Sequence, residues 1–269
     1  MNETGSTYTA VRIGDVSDWR LIAVISETGM VAYLKNTENP AEEVVTLFDE
    51  KWDRDPAQLL QNIENAVYDH PQVLDDFSAD ITLVAPATMW VPGDYADEED
   101  ICAEMYASVY PAEPADIMTE EVQGEACLYS LVPGLLPFLQ RTFPGARCHS
   151  HQGVMVRRFR ERGGDVPCLY VDIRDGEADF VLLDNRRLLL ASTLPWKAPE
   201  DIEYKLYNIF SVYGLDPREA QVSLSGLKEI RSSLLTRLRE NIRYVMLTML
   251  PGIGVKAGMP LAAVLLLRG

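Results

Sequence analysis

Between Asp55 and Gln140 the chain has no lysine or arginine, against 17 aspartates and glutamates. A nucleic-acid surface must replace condensed counterions with basic side chains, so this stretch excludes that class of partner. An anionic membrane surface is disfavoured on the same ground. Histidine is scarce as well. There are three in 269 residues, and none has a glycine-rich nucleophile turn nearby. No Ser-His-Asp or Cys-His arrangement can be argued, and no catalytic residue is assigned. The four cysteines, Cys102, Cys127, Cys148 and Cys168, are spaced too widely for a zinc pattern and read as reduced thiols filling core space. Long apolar runs are missing too. The most apolar stretch, Leu261 to Leu267, falls far short of the ~20 residues that span a bilayer, so no direct membrane insertion is expected. Met1 to Ala10 is polar, so no signal peptide is expected and the chain reads as cytoplasmic.

What is present is an ordinary globular composition with an uneven charge. Apolar residues make up 47% and charged residues 24%, far from the balance of a disordered chain. The net charge is −17, and all of it lies in residues 1–164, which carry 28 acids and 11 bases. Residues 165–269 carry 13 of each. Gly163-Gly164-Asp165, flexible and placed where the charge changes, marks a boundary between a strongly acidic first half, 1–164, and a neutral second half, 165–269. The acidic stretch reads as a solubilising face or as a docking surface for a basic protein. Its sharpest segment is Asp97-Glu98-Glu99-Asp100, at the start of a helix expected over 97–110. A solvated, acidic helix N-terminus explains these residues better than a cation site does.

The apolar pattern gives two parallel series of elements. In the first half, Arg20 to Ser26 and Met30 to Leu34 flank the turn Glu27-Thr28-Gly29 and read as a hairpin, with Glu43 to Phe48 as a third strand. Pro56 to Asp69 carries Leu59, Leu60, Ile63 and Val67 at helical spacing, with Asp55 as the expected N-cap. Then come a strand at Ile81 to Ala85, the helix 97–110, strand within Val122 to Val132, a helix over Pro133 to Phe143 and a strand at Ala146 to Ser150. Gly153 to Arg162 closes the half as a short basic helix or turn. The second half repeats the plan. Strands at Pro167 to Ile173, Glu177 to Leu183 and Arg187 to Ser192 precede a helix at Pro199 to Tyr213. A strand at Gln221 to Leu224, a helix at Leu227 to Arg239, a strand at Ile242 to Leu247 and a helix at Met259 to Leu267 complete it.

Several segments in this order carry a family likeness: Ile81 to Pro86, Leu169 to Ile173, Phe180 to Asn185, Tyr204 to Leu215, and Val222 to Gly226. On these the chain resembles an uncharacterised bacterial family of unknown function with an actin-like ATPase fold. The last segment, Pro260 to Arg268, is similar to the closing helix of actin-like platform proteins of pilus and secretion machines. The resemblance covers about residues 15–269. It implies an α/β protein of two ribonuclease-H-like halves, with mixed sheets flanked by helices and a cleft between them.

Actin-like ATPases open each half with an Asp-x-Gly hairpin whose backbone N–H groups approach phosphate and whose carboxylate holds the metal through water. The matching residues here are altered. Glu27-Thr28-Gly29 has Glu for Asp, with Met30 and Val31 where hydroxyls are expected. Asp172-Ile173-Arg174 has Arg for the glycine, with Gly176 two residues on. Ser225-Gly226 stands at the adenosine turn without the usual second glycine. The altered loops and the base-free acidic stretch point to a non-catalytic actin-like scaffold that binds another protein and needs no cofactor. The alternative is an ATP-binding member, a small-molecule kinase or ATPase. There Glu27 and Asp172 would hold Mg²⁺, Gly29 and Gly176 would admit the phosphates of Mg-ATP, and Ser225 and Gly226 would meet the adenosine.

Cys148-His149-Ser150-His151 has too few ligands for zinc; as a strand it would put both histidines on one face, and it reads as a surface turn with no metal. His70, before Pro71, reads as a helix-end residue facing terminal carbonyls. Trp19, Trp52, Trp90 and Trp196 read as core or rim.

Overall fold

The computed structural model describes residues 15–39, 41–111, 113, 116–250 and 258–267. Strands β1 (Trp19–Ser26), β2 (Gly29–Asn36) and β3 (Val45–Lys51) form an antiparallel meander, and α1 (Leu59–Asp69) leads to β4 (Ser78–Leu83). An insertion follows: β5 (Thr88–Pro92), α2 (Glu99–Ala107), β6 (Ile117–Val122) and β7 (Glu125–Ser130). Then come α3 (Leu135–Thr142), β8 (Arg147–Ser150) and α4 (His151–Arg162). The second series runs β9 (Cys168–Ile173), β10 (Glu177–Asp184), β11 (Arg187–Pro195), α5 (Pro199–Val212), β12 (Gln221–Gly226), α6 (Lys228–Leu238), β13 (Tyr244–Leu247) and α7 (Leu261–Leu266). The large sheets have matching orders, β3-β2-β1-β4-β8 and β11-β10-β9-β12-β13, and the insertion makes a third sheet, β5-β7-β6.

The sheets are buried on both faces, and strand alternation decides what each face meets. Leu21, Ala23 and Ile25 of β1 join the core under α1 and α3, while Ile22 and Val24 point the other way. In the second sheet Leu169, Val171, Phe180 and Leu182 pack against α5 and α6. Val181 and Leu183 face a further core shared with Ile22, Val24, α4 and α7. The closing helices of the two series therefore lie between the sheets. The α4 ring of Phe159 stacks on Tyr170 of β9 with centroids 3.9 Å apart.

Some boundaries differ from the sequence expectation for local reasons. Helix α1 starts at Leu59, not Pro56, because the Asp55 carboxylate accepts from Ala57 N–H and its carbonyl from Gln58 N–H, closing a turn first. Helix α2 is shorter than 97–110 because Glu98 N–H is spent on Tyr95 in the preceding turn. The strand expected within Val122 to Val132 is β7, the second strand of a hairpin turned at Gln123 and Gly124 by positive φ angles of 52° and 95°. Strands β5 and β6 were missed because neither shows clean alternation. Among the described residues no helix is long and apolar enough to cross a membrane.

Candidate functional site

The site lies where the three sheets meet at the first turn of α4. The sequence reads Cys148 to His151 as a surface turn, and the structure corrects this. Ser150, His151 and Gln152 are buried, because the chain leaves the β8 edge there and enters a helix that runs between the sheets. The helix begins at His151, with the Ser150 hydroxyl accepting from Gly153 N–H at 2.9 Å as its cap. The change from strand to helix also separates the two histidines.

His149 faces the first sheet. Its Nε2 lies 3.0 Å from Asp80 of β4, which also pairs with Arg20 of β1 and with Arg147 at 2.9 Å. Burial opposes ionisation of Asp80, but the hydrogen bonds from His149 and Arg147 outweigh it and hold the carboxyl at about 2. Glu120 of β6 ties the inserted sheet to the same corner. It accepts from Ser150 N–H at 2.7 Å and from the Ser150 hydroxyl at 2.8 Å, and pairs with Arg157 at 3.1 Å. A Cβ on Gly153 would sit 2.5 Å from the Glu120 Oε2 and would have to displace that carboxylate. Burial works against charge on both Glu120 and His149, yet their contact lowers the Glu120 pKa and, with Asp80, raises that of His149.

His151 faces the second sheet. Its Nε2 lies 3.0 Å from Asp179 of β10, whose carboxylate also accepts from Thr193 of β11 at 2.6 Å and twice from Arg174, at 2.8 and 3.1 Å. Despite burial, His151 and Arg174 hold Asp179 well below the usual carboxylate range. Gln152 donates to Thr193 at 2.9 Å and accepts from Trp90 of β5 at 2.9 Å. Four consecutive residues, Ser150 to Gly153, thus touch all three sheets.

The sequence-derived positions surround this corner. Glu27 and Gly29 lie at the β1–β2 turn, Asp172 near the end of β9, and Gly176 in the β9–β10 turn. Arg54 bridges the two hairpins, 3.1 Å from Glu27 and 3.4 Å from Glu177. Arg174 turns inward onto Asp179 and Glu177. Where Gly29 lacks a Cβ, the Glu50 carbonyl lies 2.6 Å away, and Gly226 is filled in the same way by the Ile173 backbone. Ser225 is buried and donates to the Val171 carbonyl at 3.2 Å. Gly29 and Gly226 are thus closed off by backbone and Ser225 is engaged, whereas Gly176 has nothing within 4 Å of an added Cβ and the Asp172 Oδ1 has no hydrogen-bond partner among the described residues. Asp97, Glu98, Glu99 and Asp100 are exposed around the first turn of α2 and take no part in the corner.

The other singled-out residues fall into place nearby. His70 caps α1, but it stacks on Phe48 and reaches Glu50 at 2.9 Å. Trp52 donates to the Glu27 carbonyl at 3.0 Å, and Trp196, which donates to the Arg174 carbonyl, rims a surface hollow of about 270 Å³. Among the described residues no group of three or more His, Cys, Asp or Glu could hold a metal ion. Sequence reasoning missed His151, Gln152, Asp179 and Glu120. The signal for Asp179 was available: in β10 it alternates with Phe180 and shares a face with Val181 and Leu183.

The Arg54 bridge tests how far this closure rests on surface charge. Its side chain is 49% exposed, so the pair is worth less than about 1 kcal/mol. Arg54→Ala should lower the melting temperature by less than about 4 °C, as calorimetry can check. A larger fall would mean that the halves depend on this bridge.

Paired five-stranded sheets of one order, with the closing helix of each series between them, define the actin-like ATPase fold. The chain belongs to the family of proteins of unknown function DUF3822, whose model matches residues 18–245. A Bacteroides thetaiotaomicron protein with actin-like ATPase fold and unknown function superposes with a TM-score of 0.80 at 17% identity, over 94% of this chain and 97% of that one. The PilM–PilN type IV pilus biogenesis complex gives 0.51 at 13% identity, over 85% and 88%. The ethanolamine utilization protein EutJ from Carboxydothermus hydrogenoformans gives 0.51 at 9%, over 92% and 89%. At these identities the likeness carries the fold alone. No curated protein matches.

Proposed function

We propose that this chain is a non-catalytic, nucleotide-independent actin-fold scaffold that works by binding another protein. One observation carries the reading: two arginines of the chain, Arg54 and Arg174, are spent on carboxylates at the hairpins where this fold would receive phosphate. Arg174 must lose the buried Asp179 before it can serve a ligand, and breaking such a pair is costly, whereas the exposed Arg54 pair adds little. The PilM–PilN neighbour is a complex of two proteins, which supports a protein-binding role for a chain of this fold. The exposed acids Asp97, Glu98, Glu99 and Asp100, in a stretch with no basic residue of its own, favour a basic partner that would meet them there.

The test is a thermal titration with millimolar Mg-ATP. A ligand at 100 times its Kd adds about 2.7 kcal/mol of stability, so binding would be plain in the melting curve. No shift is expected. A shift that disappears in Asp172→Ala would overturn the reading in favour of an ATP-binding protein.

A further inference from the structure

We propose that the exposed apolar stripe of α2 is a docking surface for an amphipathic, cationic helix of a partner protein. The inference rests on the basic-partner reading above and names the kind of segment that this face would take.

The geometry begins with how α2 is held. Cys102 and Tyr106, four residues apart, are buried in a small core with Val91, Ala126 and Leu128 of the inserted sheet. The Tyr106 hydroxyl donates to the Ala87 carbonyl at 3.0 Å, which fixes that side of the helix inward. A second apolar series runs beside it. Ile101, Met105 and Val109 also recur every four residues. Val109 lies in the turn that continues the helix, where Val109 and Tyr110 N–H both donate to the Tyr106 carbonyl. Ile101 is 42% exposed and Val109 60%, with Met105 half-buried between them. Tyr95, 40% exposed, stands in the turn before α2, which the Cys102 thiol ties to the helix by donating to the Tyr95 carbonyl at 3.0 Å. Single exposed apolar residues are ordinary on a protein surface, whereas a run of them along one helix marks a contact.

Two arguments decide what covers the stripe. The first is backbone pairing. The main chain of α2 is bonded along the helix, so this face has no strand edge for an extended segment to join. A segment laid on it must satisfy its own backbone, which makes it a helix. The second is charge. Glu104 follows Ile101 by three residues and adjoins it on the helix surface, and Asp97, Glu98, Glu99 and Asp100 are exposed at the start of the stripe. A second copy of this chain would bring the same acids and be repelled, and an anionic lipid surface is repelled likewise. A helix whose apolar stripe is flanked by lysine or arginine covers Ile101, Met105 and Val109 and meets the acids at once. Long basic side chains suit this border, because their methylene stems lie on apolar surface while the charged ends reach the carboxylates.

The experiment is a calorimetric titration of the full chain with two synthetic leucine–lysine peptides of one composition and about 18 residues. One carries its leucines at i, i+3, i+4 and i+7, so that they form one helical face; the other is scrambled so that no such face forms. The native chain should bind the first about tenfold more tightly. Joint Ile101→Gln and Val109→Gln substitution should remove about tenfold of that affinity, what burying the exposed parts of the two side chains is worth, and leave the scrambled peptide unchanged. Both sites are exposed, and an unchanged melting temperature checks the fold. Replacing Asp97, Glu98, Glu99 and Asp100 by Asn and Gln should weaken both peptides. Equal binding of the two peptides by the native chain, or no loss in the Ile101→Gln, Val109→Gln variant, would overturn the proposal and leave the basic-partner reading standing. Binding of neither peptide, or affinities untouched by removal of the four acids, would overturn both.

Discussion

Gly226→Ala should cost about 4 kcal/mol of stability, the sum of backbone strain and overpacking. Two independent features lead there. Gly226 has φ of 87°, where an L side chain is strained, and its position pairs with Ile173 across β12 and β9. A Cβ would lie 2.0 Å from the Ile173 carbonyl oxygen and 2.6 Å from its nitrogen, both backbone atoms of a central strand that cannot swing aside. The Ile173 carbonyl is also held by Leu227 N–H at 2.8 Å, so retreat of either chain breaks the bond that ties the β12–α6 junction to β9. Gly176→Ala is the control. It too has positive φ, 71°, but nothing lies within 4 Å of the added carbon, so only the conformational cost of about 1–2 kcal/mol applies. Urea melts of the two variants separate the effects. Equal losses would mean that the Ile173 backbone moves freely, and the close packing at the adenosine-turn position would then carry no weight.

The duplicated order of elements was legible because each half depends on periodic apolar strands and helices with ordinary stop signals. Gly214 ends α5, and Pro167 and Gly176 bracket β9, as the pattern implied. The inserted sheet was not legible. Its strands are short, β6 mixes Thr119, Glu120 and Glu121 into an otherwise apolar run, and the turn that splits β6 from β7 needs a positive φ at Gln123, which no local signal announces. The corner was hidden for another reason. Cys148 to His151 looks polar, and polar residues near a strand end suggest a surface turn. Here they are buried because each polar group finds a partner from a distant segment: Asp80 for His149, Glu120 for Ser150, Asp179 for His151 and Trp90 for Gln152. Such pairings span 28 to 69 residues, beyond the reach of any window-based reading. Arg174 was visible as a departure from the hairpin pattern. That it turns inward to neutralise Asp179 could be learned only from the fold.

The two carboxylates of the corner should respond to amide substitution with opposite signs. Asp179→Asn should destabilise the protein by about 3–5 kcal/mol at neutral pH, because it leaves Arg174 and His151 without the charge that organises them. Its ionised form is favoured in the fold, so its contribution is present above the unfolded carboxylate pKa and is lost as pH falls below it. Asp172→Asn should stabilise. The fold raises this group from 3.8 to about 6, so the native state holds a proton that the unfolded chain has released across that window. Stability therefore falls as pH rises through the window, by up to about 3 kcal/mol at about 1.4 kcal/mol per unit. The amide cannot ionise and escapes that cost. The gain should be full above about pH 6, shrink on acidification and disappear below the unfolded value of 3.8. Chemical denaturation of the native protein and both variants, at about pH 7.5 and at the lowest pH where each stays folded, measures these differences directly. A neutral-pH loss in Asp172→Asn would mean that its carboxylate is bound as an anion. The pair would then carry two charges in the resting fold.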